Sequence, residues 1–122
     1  MALKTNEQNS GFSAMATQTG ATNTADRDIF ASGAGTIRCM LLENTDASDV
    51  HYFKVYDSKE PTVGTTDPVF VIKLGLSTNT IVNCKPGIVC STGVSVSAGQ
   101  GAGTTAGTTA ESSDVPYTIF GA

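Results

Sequence analysis

One imidazole, three thiols and eleven scattered carboxylates are the side chains in this 122-residue sequence that could do acid–base, nucleophilic or metal chemistry. His51 is the one obvious general base. It follows Asp49 and Val50 at the start of an alternating stretch, and no GxSxG or Cys-His signature accompanies it. A histidine so placed reads as structural or solvent-facing. The carboxylates Asp26, Asp28, Asp46, Asp49, Asp57 and Glu60 fall in turns or at strand ends, where solvated charge belongs. Asp26-x-Asp28 and Asp46-x-x-Asp49 have oxygen ligands suited to calcium, but neither has the central Gly and distal Glu of an EF-hand loop. The Gly99–Gly103 stretch GQGAG superficially offers a phosphate cradle, yet no Lys and no helix follows it.

Cys39, Cys84 and Cys90 are an odd number in apolar, strand-like contexts, TIRCMLL and TIVNCKPGIVCSTG. Buried reduced thiols are the plain reading. Cys84 and Cys90 bracket a turn at Pro86-Gly87, so a disulfide across it is the alternative; the spacing is not a zinc signature. No catalytic residue, cofactor or metal is therefore expected.

The elements that must position these residues are strands. From His51 to Leu74 the sequence runs HYFKVYDSKEPTVGTTDPVFVIKL. Phe53 and Val55 should leave one face, and Tyr52, Lys54 and Tyr56 the other. PVFVIKL is apolar almost throughout, the pattern of a strand covered on both faces. Pro61, Gly64 and Pro68 punctuate a loop between the two that is too long for a two-residue turn. Tyr52, Lys54 and Tyr56 on their shared face suggest either a subunit- or sugar-binding patch or aromatics that cap one side of a sheet.

Taken in order, residues 1–24 are polar, without periodicity, and have Leu3, Phe12 and Met15 as their main bulky apolar side chains. They read as an extended N-terminal arm without a strand, ordered by contact with a neighbour. Arg27–Ser32 reads as a short strand. Thr36–Glu43 reads as a strong one, with Ile37, Cys39 and Leu41 opposed to Arg38, Met40 and Leu42. Asn44, Asp46 and Ser48 mark a turn. Thr80–Cys84 is a further strand, Lys85-Pro86-Gly87 a turn, and Ile88–Cys90 either a short strand of its own or one joined to Val94–Ser97 through a break at Gly93. Residues 97–114, SAGQGAGTTAGTTAESSD, read as a flexible loop. Val115–Phe120 closes the chain as a strand, and Pro116 suggests an edge position. The expectation is an all-β fold: a single jelly-roll-like β-sandwich of about seven or eight strands over residues 25–122, preceded by the arm.

Composition narrows the partners. Only 15% of residues are charged and the net charge is −4, with the seven basic residues scattered, so neither nucleic acid nor an anionic membrane is an expected partner. MALKTNEQNS has no apolar h-region and no run approaches the roughly 20 residues of a bilayer span, so cytoplasmic synthesis is expected. Some 80 residues remain for a core, near the size where a core alone gives modest stability, so self-association is expected.

The set HYFKVYD, EPTVGTTDPVFVI, PGIVCSTGVSVS and SDVPYTIF resembles a group of small tailed-phage virion proteins. In that group a YxKxY strand leads through PTVGTxxPV to a buried strand, a GIxFSTG turn and a C-terminal strand. The resemblance covers about Gly35 to Phe120; Val89-Cys90 stands where an apolar-aromatic pair is typical. It implies a structural, non-enzymatic component of the capsid surface, a head decoration or cement protein. The partners implied are the major capsid protein and further copies of the chain, a trimer before a dimer. The second reading is a receptor- or glycan-binding module of a fibre or tail, from the Tyr52/Tyr56 face and the Gly/Thr loop. Interface candidates are Leu3, Phe12, Met15, Tyr52, Lys54 and Tyr56.

Overall fold

The computed structural model describes residues 14–21, 25–31, 33–104 and 115–122. Among these the chain is all β, with two antiparallel sheets and no helix. The strands are β1 (Ala14–Ala21), β2 (Gly35–Asn44), β3 (His51–Asp57), β4 (Phe70–Leu74), β5 (Thr78–Cys90), β6 (Val94–Gly99) and β7 (Val115–Gly121). One sheet has the order β1-β7-β2-β5, the other β4-β3-β6.

A single cluster of buried apolar side chains draws on both sheets. Ile37, Met40, Leu42, Val115, Tyr117 and Ile119 come from the first, and Phe53, Val55, Leu74, Val94, Val96 and Ala98 from the second. The alternation expected in β3 is present: Phe53 and Val55 enter this cluster, with Phe53 tilted against Tyr117 at a ring-centroid distance of 5.7 Å. In β2 the expected alternation is broken. Arg38 is an extra residue in the ladder to β7, where Ile37 and Cys39 stand opposite the consecutive Gly121 and Phe120, so the strand changes face there. Ile37 therefore points inward together with Met40 and Leu42, and Leu41 is turned out, 40% exposed.

Several expected elements differ. Ala14–Ala21, inside the stretch read as a strandless arm, is a strand that pairs with β7 from Ala14↔Gly121 to Ala21↔Val115. Its small and polar residues give little apolar signal, and its place is set by main-chain pairing to β7. Leu3 and Phe12 lie outside the described residues, as does most of the expected 97–114 loop; the part that is described includes Ser97–Gly99, which belong to β6.

β7 is an inner strand rather than an edge. Pro116 is accommodated because the β1 register shifts between Gln18 and Ala21 opposite it, while pairing with β2 stops at Leu42↔Tyr117. β4, expected to be covered on both faces, is an edge strand with Val71 36% exposed. Arg27–Ser32 does not form a strand: Asp28 and Ala31 have positive φ, and the Ala31 amide closes a turn onto the Asp28 carbonyl at 2.8 Å. The expected turn at Lys85-Pro86-Gly87 lies within β5 as a bulge, with Cys84–Gly87 standing opposite Arg38 alone.

Candidate functional site

Four local arrangements gather the polar residues singled out in the sequence. At one end, the β2–β3 connection is built on Asn44, which is fully buried. Its Nδ2 donates to the carbonyls of Asp49, Leu74 and Gly75 at 3.1, 3.3 and 2.9 Å, and its Oδ1 accepts from the Asp46 amide at 3.0 Å. Asp46 Oδ1 accepts from the amides of Ser48 and Asp49, and Oδ2 lies 3.1 Å from His51 Nε2. The Ser48 amide, followed by the His51 ring, holds the Asp46 carboxyl below the usual carboxylate value.

His51 is thus the buried end of a turn network, 1% exposed, and among the described residues its Nδ1 has no hydrogen-bond partner. Among the described residues its polar partner is a carboxylate that is itself fixed by backbone amides, with no hydroxyl or thiol on the ring. This geometry orients a loop and provides no nucleophile–base pair.

At the opposite end Asp57 closes β3. Its Oδ1 accepts from the amides of Thr92 and Gly93 at 2.7 and 3.3 Å, and its Oδ2 from the amide and hydroxyl of Ser91 at 3.1 and 3.2 Å. These bonds, that of Thr92 foremost, hold the Asp57 carboxyl below its ordinary value. Gly93 is required there: a Cβ would come within 2.8 Å of Lys59 Cγ and 3.0 Å of the Lys59 amide nitrogen.

Asp26 and Asp28, two positions apart in sequence, are used separately. Asp26 accepts from the Tyr117 hydroxyl at 3.1 Å and exchanges two backbone bonds with Val96. Burial pushes both the Asp26 carboxyl and the Tyr117 phenol up. Asp28 Oδ1 accepts from the Gly33 amide instead. Among the described residues no group of three or more His, Cys, Asp or Glu could hold a metal ion.

The face shared by Tyr52, Lys54 and Tyr56 is the outer face of the three-stranded sheet, and most of it is closed. Lys54 is 1% exposed and Tyr56 fully buried, its hydroxyl 3.0 Å from Ser97 Oγ; Tyr52 is half-buried. Burial pushes the Lys54 ammonium down and the Tyr56 phenol up. The chain after β6 doubles back here. Gly99 pairs with Tyr52 at one end of β3, and Thr104 Oγ1 donates to Asp67, ahead of β4, at 2.6 Å. Of these three side chains Tyr52 alone is partly open, and Val71, opposite Lys54 on β4, adds exposed apolar surface to the face.

The cysteines are free. Cys90 is buried in the core, its thiol pushed up to about 11 by burial and then by Asp57. Cys84 is half-buried in the bulge, its thiol raised by burial and then by nearby Cys39.

Further open apolar surface lies on the outer face of the four-stranded sheet. Ile81 on β5, 68% exposed, pairs across to Leu41 on β2, which pairs in turn with Thr118 on β7. The neighbouring row runs Asn83, Cys39, Phe120 and Met15. A groove of about 370 Å³ flanks Leu41, lined by Glu43, Asn79, Ile81, Pro116 and Thr118 among others. Of the interface candidates expected in the arm, Met15 stands in this row, and Leu3 and Phe12 lie outside the described residues. Ile81 and Leu41 were not foreseen as surface residues, because unbroken alternation in β2 would have carried Leu41 inward with Ile37.

Compared with known proteins, the chain matches no family model, and no curated protein or solved structure is significantly similar to it.

Proposed function

We propose that this chain is a non-enzymatic structural component of a tailed-phage virion, a head decoration or cement protein. In this role it bridges neighbouring major capsid subunits and associates with copies of itself. The observation that carries the reading is where the quoted motifs fall. Asp57 of HYFKVYD holds the Ser91–Gly93 turn of PGIVCSTG, and EPTVGTTDPV makes the turn between β3 and β4, with the amides of Thr65 and Thr66 on the Thr62 carbonyl. These segments of the resemblance brace the fold, as befits a building block. Weak contacts repeated over a lattice sum to a large effect, so such a protein needs no deep site.

The finer architecture belongs to the same reading: a jelly-roll-like sandwich. Supporting it, the chain crosses from one sheet to the other at four of the six connections between the described strands, and residues 26–29 bond to the free side of β6 through Asp26–Val96 and Ile29–Val94. With that segment counted as a rudimentary strand, each sheet has four, the number a jelly roll requires. The fibre or tail receptor reading has less to stand on, since Lys54 and Tyr56 are withdrawn from solvent.

Mass spectrometry of purified particles tests the proposal. The chain is expected in virions at a fixed ratio to the major capsid protein, and purified chain is expected to bind heads that lack it. Absence from particles, or binding to host cells without binding to heads, overturns it.

A further inference from the structure

Among the described residues the two sheets present four lateral edges; two are guarded along their length and a third, that of β1, only at its end. The free side of β6 is taken by Asp26 and Ile29. β4 is only five residues long, carries Lys73, and follows Pro68. β1 has only the register shift between Gln18 and Ala21, at its end. Short length, charge, proline and irregularity are the ordinary means of keeping a sheet edge from pairing with another chain.

β5 uses them in only half of its length. Its second half has Lys85, Pro86 and the bulge opposite Arg38. Its first half, Thr78–Asn83, has none. It runs in unbroken register against Asn44–Cys39, carries no charge and no proline, and is β-branched at four of its positions: Thr78, Thr80, Ile81 and Val82. Among the described residues no other strand or loop makes a main-chain bond to its outer side.

We propose that Thr78–Asn83 is a self-pairing edge, which joins two copies of this chain through an antiparallel β5–β5 contact about a twofold axis at Ile81. The occupant is argued from the segment itself. Antiparallel pairing requires opposed residues to share a face, so a twofold axis must pass through a residue position. Centred on Ile81, it sets Ile81 against Ile81 of the second copy, Asn79 against Asn83, and Thr80 against Val82. Every opposed pair is then uncharged and matched in polarity or β-branching. Centred on Thr80, it would set Ile81 against Asn79.

The Ile81 register also continues a row that the single chain leaves open. Leu41 and Ile81 already stand side by side, so the pair would form Leu41–Ile81–Ile81–Leu41 across an eight-stranded sheet. That covers the most exposed apolar side chain of the segment, in a contact whose specificity comes from main-chain bonds. The inference does not depend on the virion reading; it holds for this chain in any setting.

Light scattering with size exclusion tests it on the full chain. The wild type is expected to reach dimer mass at concentrations on the order of 100 μM, since a single strand pair buries less than a standard interface of roughly 1,600 Å². Ile81→Lys places two like charges on the axis and is expected to weaken association at least tenfold, with an unchanged circular dichroism spectrum. Val89→Lys, beyond the bulge and 70% exposed, is expected to leave the dimer intact. As a measurement on unaltered protein, amide exchange in Thr78–Asn83 is expected to slow as concentration rises. A wild-type monomer throughout, a trimer indifferent to Ile81→Lys, or exchange in this segment that ignores concentration each overturns the proposal.

Discussion

Asp57 shows how one side chain can define a connection. Its carboxylate gathers three backbone amides and a hydroxyl from Ser91–Gly93 onto the end of β3, so the β5–β6 turn is fixed by a residue some 34 positions upstream. The site is open to water, which limits its worth; Asp57→Asn is expected to cost about 1–2 kcal/mol of stability near neutral pH. The sign of the pH effect follows from the carboxyl being held below its ordinary 3.8. A group depressed on folding contributes stability that is complete above its unfolded value and lost as pH falls below it. Urea denaturation of wild type and variant should therefore give curves that converge as pH drops below about 3.8. A gap of constant size at all pH values would show that the carboxylate is not the stabilising form. Aspartate at a strand end followed by a distant STG turn is visible in sequence, but nothing local in the chain says that the two meet.

Among the elements, β1 changes what the N-terminal region means. Removing residues 1–24 takes away the strand that covers β7, together with Ala16, 4% exposed, and leaves an inner strand with a bare edge. That deletion is expected to lower the thermal midpoint sharply and to promote aggregation. Removing only residues 1–13 keeps every described strand and is expected to leave the midpoint close to that of the full chain. Equal midpoints for both deletions would mean that β1 adds nothing to the sheet.

The elements also show why some of the fold was legible and some was not. β3 was plain because its alternation is uninterrupted and one face meets the core. β2 was half legible: its extent was clear, but the bulge at Arg38 inverts the face of everything after it, and period-two reading has no signal for an inserted residue. β1 was invisible because AMATQTGA carries no apolar stripe. Pro116 misled because a missing amide matters only where a partner would accept its bond, and the register shift in β1 removes that need. The exposed row at Leu41 and Ile81 was lost through the same inversion in β2.

For the whole molecule, the strand order matters more than any single contact. The first described strand pairs with the last, Ala14 opposite Gly121, and the last strand lies inside its sheet between β1 and β2. Gly121 seals this arrangement, because a Cβ there would run into the Thr36 carbonyl oxygen. Replacing Gly121 with Ala is expected to push β7 off β2 and destabilise by about 1–3 kcal/mol, measured by chemical denaturation.

The pairing of Ala14 with Gly121 also sets a timetable. Sheet β1-β7-β2-β5 cannot close until residue 121 has left the ribosome, so the nascent chain must wait with β1, β2 and β5 made and their middle partner missing. Pairing over nearly the full sequence separation is slow, and refolding from denaturant is expected on the order of milliseconds to seconds. Closure of this sheet is accordingly decided by the arrival of the seven-residue strand β7.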